Sequence, residues 1–541
     1  MPRAAGDARL DSWKEIAAFL KRGVRTVQRW EREEGLPVHR HQHRKLGSVY
    51  AFEAEVARWW ESRRRSLEHE SKDAAGKRRL KLLVLPFENL SGDPAQEYLS
   101  DGLTEEMITQ LAGLEPRRLA VIARATAMHY KGGRQRVSTI AQELALDYVL
   151  EGSVRRSGNR VRITAQLISA KDETHIWAQN FDRDVGDVLA LQTEAAAQIA
   201  GEIHLALASK PRRRQIDPEA YEQFLRGRYH LNRMTPQEVG AAIPWFQKAV
   251  QQDPNFPLAY ASLAHACTLL AIAPFDALPP RQAMPRAASA VEKALTLDPS
   301  LPEAHAAQGV IRHHYDWNWK GAEQSYQKAI QLNPAYSGAH LRYAWLLLAL
   351  GRTAAALKEV QAAEKIAQEV DPFLLVVIRA TRAAAFYFAR EYDHAITECR
   401  DAMELDSSYF LLHYLLGRCY ARKGDHRKAI AALMDKASTA GPPVPLMATG
   451  LALAHAVTGA TDEAAAAITQ LEQLSRSRYI PSTYIGILYA GLNDHDRAFQ
   501  WLEKAYEERA DGLTLLNVDP MVDGLRADRR FQDLLRRIGL H

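Results

Sequence analysis

Apolar residues recur along this chain with three different periods, and each period marks a different kind of element. Trp13, Ile16, Ala17 and Leu20 fall at i, i+3, i+4 and i+7, which predicts an amphipathic helix. Ser12 and Glu15 open it as a capping box, with the Ser12 hydroxyl accepting from the Glu15 amide and Glu15 reaching back to the Ser12 amide. Lys21-Arg22-Gly23 interrupts the pattern. In a second short helix Val24, Val27 and Trp30 point one way and Arg25, Gln28, Arg29 and Arg32 another, before Gly35-Leu36-Pro37 stops it. Residues 38–52 read as two strands around a Lys45-Leu46-Gly47-Ser48 turn, and Phe52, Val56, Trp59 and Trp60 as the stripe of a third helix. From Leu80 the period shortens. Leu80 to Phe87 and Leu119 to Ala123 are apolar runs suited to buried strands. Val161, Ile163, Ala165 and Leu167 alternate with Arg162, Thr164 and Gln166, a strand with one wet face, paired with residues 148–154 across Ser157-Gly158-Asn159. His175 to Phe181 adds a strand, and residues 96–111, 140–146 and 188–208 read as helices. That mixture predicts an α/β layered domain.

The third period is long. Alanines recur at Ala242, Ala287, Ala322, Ala356, Ala395, Ala429, Ala464 and Ala498, in steps of 45, 35, 34, 39, 34, 35 and 34. Ala249, Ala294 and Ala329 each precede Asp-Pro or Asn-Pro by four residues, where proline stops a helix. Gly417 with Tyr420, and Gly486 with Tyr489, sit at small-plus-aromatic positions of a first helix. A period near 34 residues with these marks resembles the tetratricopeptide repeat, TPR. The first long step falls at a proline-rich insert, Pro274 to Pro285. The resemblance implies a stack of about eight helical pairs with a curved groove that holds a peptide or protein segment. It also implies that Trp245, Tyr260, Trp345, Tyr387 and Trp501 are core residues, and residues 517–540 read as a final amphipathic helix over the open end.

Two further resemblances rest on motifs in order. Ile16-Ala17-Ala18-Phe19-Leu20, Arg25-Thr26-Val27-Gln28-Arg29-Trp30, Gly35-Leu36-Pro37 and the Gly47-Ser48-Val49-Tyr50 wing leading to Trp59 resemble the winged helix-turn-helix of the MerR and excisionase type. Gly23 stands where that family more often has Ser or Thr. Leu85-Pro86-Phe87-Glu88-Asn89-Leu90-Ser91-Gly92-Asp93, Ser100-Asp101-Gly102-Leu103-Thr104-Glu105-Glu106, Tyr148-Val149-Leu150-Glu151-Gly152-Ser153-Val154-Arg155-Arg156, His175-Ile176-Trp177-Ala178 and Phe181-Asp182-Arg183 resemble the TolB-amino-terminal-like domain attached to bacterial regulators and cyclases. The expected organisation is therefore multidomain and mainly α. It runs as a winged helix-turn-helix at 1–62, a charged linker at 63–79, a TolB-like α/β domain at 80–209, a basic hinge at 210–216, a TPR solenoid at 217–512 and a capping region at 513–541.

Charge changes the picture at one end only. Residues 1–79 hold 19 Lys and Arg against 12 Asp and Glu, while the other 462 residues hold 51 against 53, so the overall +5 is concentrated where the arginine-rich helix lies. That favours a polyanionic partner there. The basic clusters of 63–79 read as a solvated tether, with phosphate contact as the alternative. No apolar run approaches the roughly 20 residues that span a bilayer, and the N-terminus lacks the apolar core of a signal peptide. Cys267, Cys399 and Cys419 are scattered, which suits free buried thiols in a reducing cytoplasm.

Candidate chemistry is thin outside the arginine face. In the DNA-binding reading, Arg25, Gln28, Arg29 and Arg32 enter the major groove, where Arg and Gln reach base edges bidentately. Thr26 and the wing residues Arg40, His41, His43, Arg44 and Lys45 contact phosphates. The bland alternative is a solvated helix surface. His39, His41 and His43 share one strand face, but three histidines without cysteine make a poor metal set, and no metal or cofactor is expected. Asp101, Glu105 and Glu106 read as acidic residues stabilising a helix N-terminus. No phosphate loop, H-E-x-x-H or G-x-S-x-G occurs, and no cyclase catalytic segment follows, so catalysis is not expected. The reading is a cytoplasmic regulator that binds double-stranded DNA, covers two half-sites by self-association or through a partner that brings copies together, and receives a protein or small-molecule signal in its TolB-like and repeat domains, with a protein or peptide partner in the repeat groove. The rival is a TPR scaffold whose N-terminal module is a protein contact.

Overall fold

In the computed structural model the Ser12 hydroxyl accepts from the Glu15 amide at 3.2 Å and starts helix α1 (Trp13–Phe19). Glu15 reaches back one residue further than the capping box predicts: its Oε2 accepts from the Asp11 amide at 2.8 Å. The structure describes residues 9–20, 27, 31, 36–40, 49–57, 59, 79–114, 118–133, 135–184, 188–203, 216–437, 445–457 and 459–540. They divide into two units, 1–79 and 80–541.

In the first unit, α1 buries Ile16 and Ala17, and Leu20 beyond it, against Leu10, Val27, Leu36, Ala51 and Val56; Trp13, Val38 and Trp59 pack at the edge. Strand β3 (Val49–Phe52) lies between β1 (Arg9–Leu10) and β2 (His39–Arg40), antiparallel to both, with His39 opposite Tyr50. β1 was not anticipated, since two residues carry no alternation. Val27, Glu31 and residues 53–57 are helical. The remainder of the expected second helix, the turn at 41–48 and the 63–78 stretch of the linker lie outside the described residues.

The second unit begins with a six-stranded mixed sheet in which β6 (Leu119–Val121), β4 (Leu80–Val84), β7 (Tyr148–Ser157), β8 (Arg160–Ser169) and β9 (His175–Asp184) lie in that order. β5 (Glu88–Asn89) extends the pairing on β7. The β4, β5 and β6 pairings are parallel and the β7–β8–β9 pairings antiparallel. Val161, Ile163, Ala165 and Leu167 are buried, while Arg162 pairs with Asp182 on the wet face. Gly152 has a reason: a β-carbon there would lie 2.2 Å from the Phe87 ring. Helix α2 (Glu97–Leu114) packs between the sheet and the first repeat helix, α6 (Pro218–Leu231), with Gly102 set against Leu225. Helices α3 (Arg124–His129), α4 (Val137–Leu144) and α5 (Val188–Glu202) complete this part. Because α2 starts at Glu97 and is covered on both sides, Asp101, Glu105 and Glu106 are not at a helix N-terminus, and that expectation is corrected. Asp101 contacts Lys131, and Glu105 meets Arg124 and Arg228.

Eight antiparallel helical pairs follow among the described residues. They are α6 with α7 (Pro236–Gln252), α8 (Pro257–Ala271) with α9 (Pro280–Leu297), α10 (Pro302–His314) with α11 (Trp319–Leu332), α12 (Ser337–Ala349) with α13 (Thr353–Val370), α14 (Leu375–Phe388) with α15 (Tyr392–Leu405), α16 (Phe410–Arg422) with α17 (His426–Ala437), α18 (Pro445–Val457) with α19 (Thr461–Leu474), and α20 (Ser482–Gly491) with α21 (His495–Glu508). Each of the eight periodic alanines lies in the second helix of its pair with no exposed surface. Their partners are small too. A β-carbon on Gly309 would lie 2.5 Å from the Tyr326 ring, and one on Gly417 2.5 Å from Leu433. Pro285 lies inside α9, so the insert proper is the loop at 272–279. The tail is not one helix. Two 3-10 stretches, Asp511–Leu515 and Pro520–Leu525, precede α22 (Arg529–Arg537), because the Asp519 and Asp528 side chains cap new turns at Met521 and Arg530. Among the described residues no helix is long and apolar enough to cross a membrane.

Candidate nucleic-acid interface and repeat interior

Of the ten predicted DNA contacts, Arg40 alone falls among the described residues; Arg25, Thr26, Gln28, Arg29, Arg32, His41, His43, Arg44 and Lys45 lie outside them. Arg40 sits on β2 opposite Val49, and its Nη2 lies 2.8 Å from Glu31 Oε1. The Arg40 side chain is 61% exposed and that of Glu31 14%. Its guanidinium therefore keeps donors toward solvent, but a phosphate would compete with Glu31 for them. His39 is held as a structural residue. Its Nε2 lies 2.7 Å from Glu55 Oε2, and its ring stacks on Tyr50 at 5.1 Å. Among the described residues no group of three or more His, Cys, Asp or Glu has the arrangement of a metal site.

The sheet is fastened to the repeats by residues of the sequence motifs. Arg156 Nη1 donates to Tyr98 Oη at 2.8 Å and to Glu222 Oε1 at 3.1 Å. Glu222 also takes Tyr98 Oη at 2.6 Å and Arg226 at 3.0 Å. Burial works to raise the Glu222 carboxyl, and these donors outweigh it and hold it below its ordinary range. Asn232 donates to Glu105 at 2.7 Å. On the far side the Ala123 amide donates to the Val370 carbonyl at 2.6 Å and Thr126 to Asp371 at 3.1 Å.

The repeat interior differs from the open groove expected. Helix α22 does cover the last pair, through Arg530 with Asp496 at 2.8 Å and Arg537 with Glu503 at 2.9 and 2.7 Å. The stretch before it turns back across the earlier repeats. Asp511 accepts the Ala273 amide at 3.0 Å and contacts His314 Nδ1. Burial acts to raise the Asp511 carboxyl; His314 and the Ala273 amide prevail and keep it low. Asp519 receives Arg418 Nη2 at 2.5 and 2.8 Å, with both residues buried, and Arg418 lies over the rings of Tyr387 and Tyr414. Asp523 meets Arg390 at 2.7 Å. The groove is thus filled in part by the chain's own carboxylates, which satisfy cations that line it.

The loop at 272–279 gives the long repeat step a use. Tyr484 Oη donates to Asp276 Oδ2 at 2.5 Å, and Arg281 reaches the Glu507 carbonyl. Arg509 donates to the Tyr315 carbonyl at 3.0 Å and lies 4.1 Å over Trp317. The second and third pairs so meet the eighth, and the array closes on itself. A cavity of about 270 Å³ remains inside, between α10, α12, α14, α16, α18, α20 and the 511–519 segment. Sequence reasoning missed it because its walls come from residues more than 200 positions apart.

Comparison with known proteins adds a direction. Residues 78–198 match the family described as HilA/YgeH-like transcriptional regulator, second domain, and residues 318–372 and 381–445 match tetratricopeptide repeat families. A Rhizobium meliloti (strain 1021) protein named "Putative adenylate cyclase 3" is 35% identical over 229 residues, 41% of this chain and 38% of that protein. The transcriptional regulator HilA of Salmonella typhimurium (strain LT2) is 23% identical over 313 residues, 56% of this chain and 52% of that one. The chain thus spans about half or less of these relatives. Among solved structures, that of Pseudomonas aeruginosa pilF is similar at 17% identity over 41% of this chain and 92% of that chain, with a TM-score of 0.31. The chain is therefore mainly helical with a TPR-type C-terminal solenoid, and it carries a domain similar to the second domain of HilA/YgeH-like transcriptional regulators.

Proposed function

We propose that this protein is a cytoplasmic, non-catalytic transcriptional regulator whose residues 1–62 are a winged helix-turn-helix that binds double-stranded DNA. The match of residues 78–198 to the regulator family carries the reading. The basic excess of residues 1–79 and the likeness to HilA support it. In this reading the α/β part, TolB-like by its motifs, and the TPR array receive the signal, and a protein partner engages the repeats. Arg25, Gln28, Arg29 and Arg32 read bases; Thr26, Arg40, His41, His43, Arg44 and Lys45 hold phosphates. Two copies of the chain act together on paired half-sites.

The test is retention of genomic DNA fragments by the full chain at rising salt, followed by sequencing. A shared short site, lost in the Arg25→Glu/Arg29→Glu variant and lost as salt rises, is the expected result. Equal retention by the variant would sink the site assignment. No retention near physiological salt would favour the second reading, a TPR scaffold, for which the two matched repeat segments speak.

A further inference from the structure

Arg342, on α12, lines this cavity without a carboxylate at ion-pair distance among the described residues; its Nη2 lies 3.4 Å from His265 Nδ1. The other charges of the wall are already matched. Arg418 is taken by Asp519, and Asp511 faces His314. Beside them His313 is 1% exposed, and neither of its ring nitrogens has a hydrogen-bond partner among the described residues. Its ring is wedged edge-on against Trp319. The rest of the wall is aromatic and aliphatic, with Trp345, Phe388, Phe410 and Tyr414 prominent. An apolar pocket with a few convergent polar groups is the usual form of a small-molecule site, and about 270 Å³ is near the lower end of such sites.

We infer that this cavity binds a small aromatic monocarboxylic acid, its carboxylate on Arg342, its ring between the aromatic walls, and His313 within reach as a polar contact. A guanidinium presents a planar fork that suits a carboxylate. The head group should be a monoanion, because Arg342 is the one unmatched cation among the described lining residues, Arg418 being taken by Asp519 and His314 by Asp511. The cavity floor includes the 511–519 segment, so a bound acid would bridge the early repeats and the tail and hold the array closed. This gives the proposed regulator a small-molecule input, yet binding can be read without DNA, so the two proposals fail separately.

The experiment is calorimetric titration of the full chain with phenylacetate, cinnamate and indole-3-acetate, each beside its neutral amide. At least one acid should saturate one site per chain, with its amide at least ten-fold weaker. Arg342→Gln should lose ten-fold or more for the acid and leave the amide unchanged, while Arg342→Lys should fall between, since an ammonium lacks the fork. No saturation by any of the three acids, equal binding of acid and amide, or undiminished acid binding by Arg342→Gln overturns the inference. The acid–amide comparison needs no variant, so it stands even if Arg342→Gln does not fold.

Discussion

Replacing Asp519 by alanine removes one partner of a charge pair whose two side chains are only 7% and 5% exposed. Arg418 would be left between the Tyr387 and Tyr414 rings with a single remaining acceptor, Tyr414 Oη at 3.2 Å. Breaking a buried pair from one side costs about 3–5 kcal/mol, because the surviving charge stays desolvated. The Met521 amide, now 2.9 Å from Asp519 Oδ1, loses its acceptor as well, which adds about 1 kcal/mol. Repeat arrays couple mainly to neighbours, so the loss should fall on docking of the tail and not on the repeats. At about 1.4 kcal/mol per power of ten, the open tail should rise at least a hundred-fold in population. The assay is native-state trypsin cleavage at Arg526, Arg529 and Arg530, whose rate follows the open population when reclosing is fast. Arg418→Met/Asp519→Leu removes both charges and should cleave nearly as slowly as the parent chain. A rise under ten-fold for Asp519→Ala, or a double variant as labile as the single one, would refute the argument that the tail is held by this pair.

Gly309→Ala should lower the melting temperature by overpacking against the fully buried Tyr326, at about 1–3 kcal/mol, whereas Gly240→Ala, with nothing within 4 Å of the new methyl, should gain up to about 1 kcal/mol from helix propensity; equal effects of the two would refute the close-packing account. Asp276 is pushed up to about 7, chiefly by burial and then by Asp511, so folding favours its protonated form. Its carboxylate therefore weighs against folding increasingly between pH 4 and 7 and fully above 7, and Asp276→Asn should stabilise the chain at pH 8 but hardly at pH 4 in urea titrations. A stabilisation independent of pH would refute it. Incubation of the full chain with ATP and magnesium or manganese should yield no cyclic AMP; turnover would overturn the non-catalytic proposal and align the chain with its Rhizobium relative's name.

The repeat was legible because packing imposes a period. Helix pairs approach closely only where alanine or glycine stands, so Ala242 to Ala498 mark the solenoid in plain sequence. The strands at 148–157 and 160–169 were legible for the same local reason, alternation about a turn whose Gly158 takes φ +60°. The tail and the cavity were not. Asp511 meets His314 across 197 positions and Asp519 meets Arg418 across 101, and no period relates such partners. Asp101 and Glu105 misled because acids near a helix start are common, and their true partners, Lys131 for the first and Arg124 and Arg228 for the second, declare themselves only in three dimensions; Glu106 takes Gln110 Nε2 at 3.0 Å on its own helix. Among the predicted DNA contacts, Arg40 shows the same limit: its pairing with Glu31 could not be read from spacing, since it joins two different elements.

The docking contacts also explain residues that the sequence motifs singled out without a chemistry. Arg156 closes the Tyr-Val-Leu-Glu-Gly-Ser-Val-Arg-Arg motif and spans from the sheet to Tyr98 and Glu222. Gly152 in the same motif admits the Phe87 ring of the Leu-Pro-Phe motif. Glu105, in the Ser-Asp-Gly-Leu-Thr-Glu-Glu motif, is bound by Arg228 and Asn232 of the first repeat. Three motifs thus meet in packing α2 and the sheet on the solenoid. One consequence is mechanical. With charged contacts at α6 and backbone contacts at Val370, residues 80–203 are held at two separated points of the array.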